Sequence, residues 1–85
     1  MESPMILEII CSSGYYKKME VNEVKVLLTD GWAGIRDHHC PMIAILDKGT
    51  LWASQEGKEF SWELEPSIME VKDNVLTVLA DLNPR

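Results

Sequence analysis

The sequence predicts an all-β fold, a sandwich or a barrel of short antiparallel strands. Apolar and polar residues alternate with a period of two in several stretches, and clusters of turn-forming residues separate these stretches at short intervals. Such alternation places one face of each strand on a core and the other in water, as in an antiparallel sheet. Short strands divided by regular turns are typical of sandwiches and barrels.

Five alternating stretches are predicted to be strands, in order along the chain: 7–11, 24–28, 60–64, 69–71 and 76–80. The turn-forming clusters occupy residues 12–14, 30–31, 47–49, 55–57 and 72–74. The last two clusters stand between apolar strands at the spacing of a tight turn. We therefore expect residues 51–64 and 70–76 to form two hairpins.

Residues 41–46 are the ambiguous segment. They contain a continuous apolar run of strand length, Met-Ile-Ala-Ile-Leu, after a proline. Such a run fits either a strand that is buried on both faces or a single helical turn. We favour the strand, because the run is short and ends at a turn signal.

The composition is that of a single folded domain: 85 residues, 46% hydrophobic and 26% charged. The net charge is −6 and no basic cluster is present, which argues against nucleic acid and anionic lipid as partners. No signal peptide and no apolar run of about 18 residues is visible. We expect a soluble protein in a reducing compartment, with Cys11 and Cys40 as reduced thiols that are buried like small apolar residues.

His38, His39 and Cys40, together with Cys11, are the residue types of a tetrahedral zinc site. Zinc ligands from one segment are usually separated by about two to four residues, and adjacent strand residues point to opposite faces, so we expect no metal site. The pair of Cys40 and His39 lacks a third catalytic member, and no glycine-rich phosphate loop is present. The sequence therefore predicts neither an enzyme nor a cofactor.

The three tryptophans differ in their predicted environments. Trp62 falls on the apolar face of an alternating strand and is expected in the core. Trp52 is out of phase and is expected to be partly exposed. Trp32 follows Asp30 and Gly31 in a predicted turn, where it either folds back over the core or is offered to a partner.

Several motifs resemble those of the epsilon subunits of F-type ATP synthases. Residues 31–35 (Gly-Trp-Ala-Gly-Ile), then His39-Cys40-Pro41, then an apolar run ending at residues 48–49 match the family's signature in order and spacing. Residues 7–10 are similar to its opening strand, and residues 70–81 to its closing hairpin. Gly31 and Gly34 suit a tight turn with positive φ, and Pro41 suits a strand start or edge.

The chain departs from the family pattern in two places. Residues 65–68 (Glu-Pro-Ser-Ile) stand where the family has a glycine pair, and Asp37-His38 stands where a Pro-Gly is common. The family's C-terminal helical hairpin would begin where this chain ends. Inhibition by that hairpin and nucleotide sensing are therefore not expected.

The resemblance implies a flattened antiparallel β-sandwich of about ten short strands, a single domain over residues 1–85 with its core at about 5–81. It implies a non-catalytic rotor subunit of a proton-translocating ATP synthase, peripheral at the cytoplasmic face of the bacterial inner membrane. The implied partners are the gamma subunit and the ring of c subunits. The expected c-ring contacts are Asp30, Gly31 and Trp32. The expected gamma-subunit contacts are Cys11, His39, Pro41 and Glu65, of which Cys11 and Glu65 are assigned by position alone.

Two other functions are compatible with the sequence. The first is a free-standing interaction module of the same fold that acts outside an ATP synthase. The second is a small enzyme or metal protein, which a stoichiometric zinc content of the purified protein would indicate.

Overall fold

The computed structural model describes residues 4–80, which contain nine strands and no helix. The strands are β1 Met5–Cys11, β2 Tyr16–Val21, β3 Glu23–Leu28, β4 Gly31–Arg36, β5 Met42–Leu46, β6 Gly49–Gln55, β7 Lys58–Leu64, β8 Ser67–Lys72 and β9 Val75–Ala80. The predicted all-β class is confirmed, with nine strands in this range where about ten were expected. Asp81, the predicted end of the core, lies outside the described residues.

The nine strands form one sheet that curls into two halves. The five-stranded half has the order β2-β1-β9-β8-β5, and the four-stranded half has the order β4-β3-β6-β7. Where the halves join, Leu28 pairs with Leu46, and the Asp47 N–H donates to the Leu27 carbonyl at 2.9 Å. All strand pairs are antiparallel except β1 with β9. A parallel pair needs a long connection, which is available here because these are the first and last strands.

One hydrophobic core lies between the halves. The five-stranded half contributes fully buried side chains from alternate positions of β1, β8 and β9, including Leu7 and Leu76, which are neighbours in the register. The four-stranded half contributes Val24, Val26 and Leu51, among others. The predicted period of two is therefore observed as burial, because only the inward face of each strand reaches the core.

The ambiguous segment is a strand, as favoured, but it is not buried on both faces. Within β5, Ile43 and Ile45 are 72% and 63% exposed, whereas Leu46 is buried. The physical reason is that the domain has only two layers. A strand in either layer, such as β5, has one face on the core and the other face uncovered. A continuous apolar run therefore does not indicate burial on both faces here.

Both predicted tight hairpins are present. Gln55 pairs with Lys58, and Lys72 pairs with Val75, so each turn has two central residues. These central residues all have positive φ: Glu56 at 48° and Gly57 at 86°, and Asp73 at 52° and Asn74 at 63°. Positive φ at both positions is characteristic of the type I′ turn, whose twist matches that of the flanking strands.

Gly31 and Gly34 differ in the reason for which a glycine is needed. Gly31 has φ of +131° at the start of β4, as the predicted tight turn requires. Gly34 lies inside β4 and has no positive φ, so the expectation of a turn at this position is wrong. A Cβ atom at Gly34 would instead lie 2.9 Å from the Glu23 Oε2 atom on the neighbouring strand.

We expect Gly31→Ala to be the more destabilising of two matched substitutions. Alanine at Gly31 is forced into a region of backbone space that costs about 1–3 kcal/mol. Alanine at Gly34 displaces only the flexible end of the Glu23 side chain, at a cost below about 1 kcal/mol. Denaturant unfolding of both variants measures the difference. Equal losses would show that the backbone at Gly31 is not strained by a side chain.

Candidate functional site

Four exposed aliphatic side chains cross the outer face of the five-stranded half. Ile45 pairs with Ile68, Ile68 pairs with Leu79, and Leu79 lies beside Ile10 across the parallel pair. Their exposed fractions are 63%, 51%, 52% and 39% in that order. We call these four residues the apolar row. Since neighbouring strands are about 4.8 Å apart, the row is about 14 Å long.

The apolar surface extends beyond the row at both ends. Ile43 lies two residues before Ile45 on the same face and is 72% exposed. Tyr16, which pairs with Ile10, is also exposed, and its hydroxyl donates to the Glu8 carboxylate at 2.5 Å. This hydrogen bond raises the pKa of Tyr16 above its ordinary value. Six contiguous apolar or aromatic side chains are therefore available to a partner.

The neighbouring row of the same face is mostly polar. In register order it consists of Ile43, Glu70, Thr77, Glu8 and Lys18. Charged side chains therefore border the apolar row along one side, an arrangement that is typical of an interface with an apolar centre and a polar rim.

The four predicted gamma-subunit contacts flank this face at its two ends. His39 and Pro41 lie in the loop before β5 and are exposed. At the opposite end, Cys11 lines an open depression of about 390 Å³ together with Ile10 and Leu79 of the apolar row, Ser12, Pro66 and Ala80. Glu65 immediately precedes Pro66, and its carbonyl accepts a hydrogen bond from Ser67 Oγ at 2.5 Å. The four residues thus lie at the two ends of this half of the sheet, with Cys11 facing the core, and they do not contact one another as a cluster.

The two cysteines have different environments. Cys11 is 5% exposed, which confirms its expected burial, whereas Cys40 is exposed, so the expectation of burial is wrong there. Cys40 lies in the loop between β4 and β5, outside the alternating pattern that buries Cys11. Neither cysteine forms a disulfide.

The three predicted c-ring contacts lie on the other half of the domain. Asp30 is in the turn between β3 and β4, and Gly31 and Trp32 begin β4. Trp32 is therefore on a strand and not in the turn itself, because pairing already starts with Gly31 opposite Leu28. All three predicted residues are exposed, and Trp32 is 59% exposed, so it does not fold back over the core.

The other two tryptophans are partly buried to different extents. Trp52 is 41% exposed, as predicted from its phase. Trp62 packs against the core, but it is only half-buried, and its indole N–H donates to the Tyr15 hydroxyl at 3.0 Å. Trp62 therefore lies on the core-facing side of its strand, as predicted, but its side chain is less deeply buried than predicted. Its strand, β7, is at the edge of the sheet, where the core covers one side less completely.

Between residues 4 and 80, no group of three or more His, Cys, Asp or Glu is placed to hold a metal ion. In the same range, no helix has the length and apolar character needed to cross a membrane.

Sequence reasoning missed the apolar row. The signal was present, because Ile10, Ile68 and Leu79 occupy positions at which the alternation calls for a polar residue. Each stands beside a core residue, so that two apolar residues follow one another in β1, β8 and β9. Apolar residues in the polar phase of several neighbouring strands indicate an interface, but only the sheet order shows that the strands are neighbours.

Comparison with known families gives one match over nearly the whole chain. The family described as "ATP synthase, Delta/Epsilon chain, beta-sandwich domain" matches residues 4–82. Similar curated proteins are named ATP synthase epsilon chain. That of Pelotomaculum thermopropionicum is 40% identical over 57 residues, covering 67% of this chain and 42% of that protein. That of Desulforamulus reducens is 34% identical over 79 residues, covering 93% and 60%.

A third relative, the ATP synthase epsilon chain of a Roseiflexus species, is 30% identical and is covered to 59% of its length. The chain thus spans 42% to 60% of the length of these three relatives.

Among solved structures, a chain of the Euglena gracilis mitochondrial ATP synthase superposes with a TM-score of 0.85 at 19% identity, over 94% of this chain and 52% of that chain. A chain of the Tetrahymena thermophila mitochondrial ATP synthase central stalk and c-ring superposes with a TM-score of 0.77 at 10% identity, over 94% and 65%. At these identities the two structural likenesses show the fold.

Proposed function

This chain belongs to the family of ATP synthase delta/epsilon β-sandwich domains, and from that membership we propose that it is a non-catalytic central-stalk subunit of a proton-translocating ATP synthase. It binds the gamma subunit with one face and the c ring with the β3–β4 hairpin, and it helps to couple proton flow to ATP synthesis. It acts as a single domain over residues 1–85, peripheral at the cytoplasmic face of the bacterial inner membrane.

The apolar row is the observation that carries the proposal. Full burial of one aliphatic side chain contributes about 1.5–3 kcal/mol, so four that are about half exposed contribute about 3–6 kcal/mol when a partner covers them. A micromolar complex needs about 8 kcal/mol after the costs of association. The row therefore supplies part of what a stable complex requires, and contacts from the rest of the face must supply the remainder. A binding surface of this kind, and not a catalytic cleft, is what a rotor subunit uses.

The predicted gamma contacts fit the same surface. His39 and Pro41 at one end, and Cys11 and Glu65 at the other, border the face that contains the row. The row lies near the Cys11 end and Ile43 lies nearer to Pro41, so a gamma subunit that covers both the row and Ile43 would extend towards both ends. Because Cys11 is nearly buried, its contribution is to shape the depression beside Ile10, and the contact itself is made by its neighbours.

Co-purification with the gamma subunit of the same organism tests the proposal. The expected result is a stable one-to-one complex that survives gel filtration. If both proteins are folded and do not bind each other, the proposed role is wrong, and the chain is a free-standing module of the same fold with another partner.

The exposed tryptophan at the β3–β4 hairpin tests the c-ring contact. We expect Trp32→Ala to change the free energy of unfolding by less than about 1 kcal/mol, because the side chain is 59% exposed. The same substitution is expected to reduce ATP-driven proton pumping by the assembled enzyme, because large aromatic side chains often dominate a contact. Trp52→Ala, on the same half, serves as the matched control and leaves pumping unchanged. A loss of several kcal/mol in stability for Trp32→Ala would contradict the assignment.

A further inference from the structure

Asn74, in the turn between β8 and β9, hydrogen-bonds to two distant segments of the chain. Its side-chain Oδ1 accepts a hydrogen bond from the backbone N–H of His38 at 2.7 Å. Its Nδ2 donates to the carbonyl of Pro4 at 3.3 Å, and its backbone carbonyl accepts from the N–H of Ile6 at 3.1 Å. One residue of a type I′ turn therefore joins the loop after β4 to the start of β1.

The residue that Asn74 holds has an unfavourable backbone conformation. His38 has φ of +62°, in the left-handed region that residues other than glycine rarely adopt. Such a conformation persists only where the surrounding structure fixes it. The Asn74 side chain fixes the backbone of His38, and the Asp37 carboxylate lies 3.0 Å from His38 Nδ1.

The chain contains the same arrangement a second time. Glu56, with φ of +48°, donates its backbone N–H to Asn22 Oδ1 at 2.7 Å. In both places an asparagine side chain from another segment accepts the N–H of a left-handed residue. At Glu56 the type I′ turn also imposes the positive φ, whereas His38 lies in a longer loop outside any two-residue hairpin, so its conformation depends more on the hydrogen bond to Asn74. The Asn22 pair holds a different turn, the one between β6 and β7, and provides an internal control.

We propose that Asn74 is a positioning residue for the gamma contact, and this inference depends on the proposed function. His38 directly precedes His39, and Pro41 follows two residues later. Pro41 leads into β5, the strand that carries Ile43 and Ile45. By fixing the backbone at His38, Asn74 sets the path of this exposed loop before the partner arrives. A contact loop that is already ordered avoids the entropy cost of ordering on binding.

Three substitutions distinguish the effect of the Asn74 side chain from the effect of the backbone conformation at this turn. Asn74→Gly keeps the positive φ that the turn requires and removes the side-chain hydrogen bonds to His38 and Pro4. Asn74→Asp keeps the oxygen that accepts from His38, and aspartate also tolerates positive φ. Asp73→Gly is the matched control, because it makes the same change at the adjacent turn position, where φ is +52°.

Two measurements are needed for each variant: amide hydrogen exchange of His38 by NMR, and the affinity for the purified gamma subunit. In Asn74→Gly we expect the His38 amide to exchange about 5- to 10-fold faster, which corresponds to the loss of one hydrogen bond. The amide of Glu56, held by Asn22, is expected to be unchanged. We expect the affinity for gamma to fall about 5- to 20-fold because the loop must then be ordered on binding. Asn74→Asp is expected to restore both properties, and Asp73→Gly to alter neither.

Unchanged exchange at His38 in Asn74→Gly would overturn the inference. So would faster exchange combined with an unchanged affinity for gamma, because the loop order would then be irrelevant to the contact. A wild-type chain that does not bind gamma at all would instead refute the proposed function and, with it, the positioning role. In that case the exchange data alone would still decide whether Asn74 holds the loop.

Discussion

Replacing Ile45 and Ile68 together by threonine is expected to weaken binding to the gamma subunit by about 10- to 150-fold, which corresponds to losing the burial of two half-exposed aliphatic side chains. The two residues pair with each other in the apolar row and are 63% and 51% exposed. Threonine keeps the β-branched shape that strands favour, so the fold is retained while the apolar contact is lost. Titration calorimetry measures the affinity, and denaturant unfolding measures the stability.

The control for this prediction is a similar change on the opposite half of the domain. Trp52 is 41% exposed on β6, and Trp52→Thr removes apolar surface that the proposed contact does not include. The affinity of the Trp52→Thr variant for gamma is expected to equal that of the wild type. If Trp52→Thr weakens binding and the double threonine variant does not, gamma binds the four-stranded half and the apolar row has another role.

Leu7→Ala is expected to lower the free energy of unfolding by about 2–5 kcal/mol, the cost of a cavity in a well-packed core. Leu7 is 0% exposed, and its strand, β1, lies between β2 and β9 in the five-stranded half. Small domains are stable by only about 5–15 kcal/mol, so this one change removes a large share of the total. Chemical denaturation followed by tryptophan fluorescence measures the loss.

Ile10→Ala provides the comparison within the same strand. Ile10 is 39% exposed on the outer face, three residues after Leu7, so its truncation is expected to cost less than about 1.5 kcal/mol. The same variant is expected to weaken binding to gamma, because Ile10 belongs to the apolar row. A larger loss of stability from Ile10→Ala than from Leu7→Ala would mean that the inward and outward faces of β1 are reversed.

The local features of the fold were predictable because they depend on neighbouring residues. The period of two identified five of the nine strands, β1, β3, β7, β8 and β9. Residues 55–57 and 72–74 identified the two hairpins, since type I′ turns need residues that tolerate positive φ. The resemblance of residues 31–49 to a known family correctly led to the family and its fold. The predictions of burial were wrong where burial depended on how segments from different parts of the chain pack together. The outward face of β5 and the exposure of Cys40 are examples.

The sequence by itself determined that the chain is all-β, where five of its turns lie, and that Leu7, Ile9 and Cys11 share one face of a strand, because alternation is a local property of each strand. Only the tertiary structure decided which apolar residues remain uncovered. Ile10, Ile45, Ile68 and Leu79 come from four strands, of which only β8 and β9 are consecutive in sequence, and strand pairing makes them one surface. Only folding also brought Asn74 to the backbone of His38, 36 residues away. Contacts between distant segments depend on the register and order of strands, which no local pattern encodes.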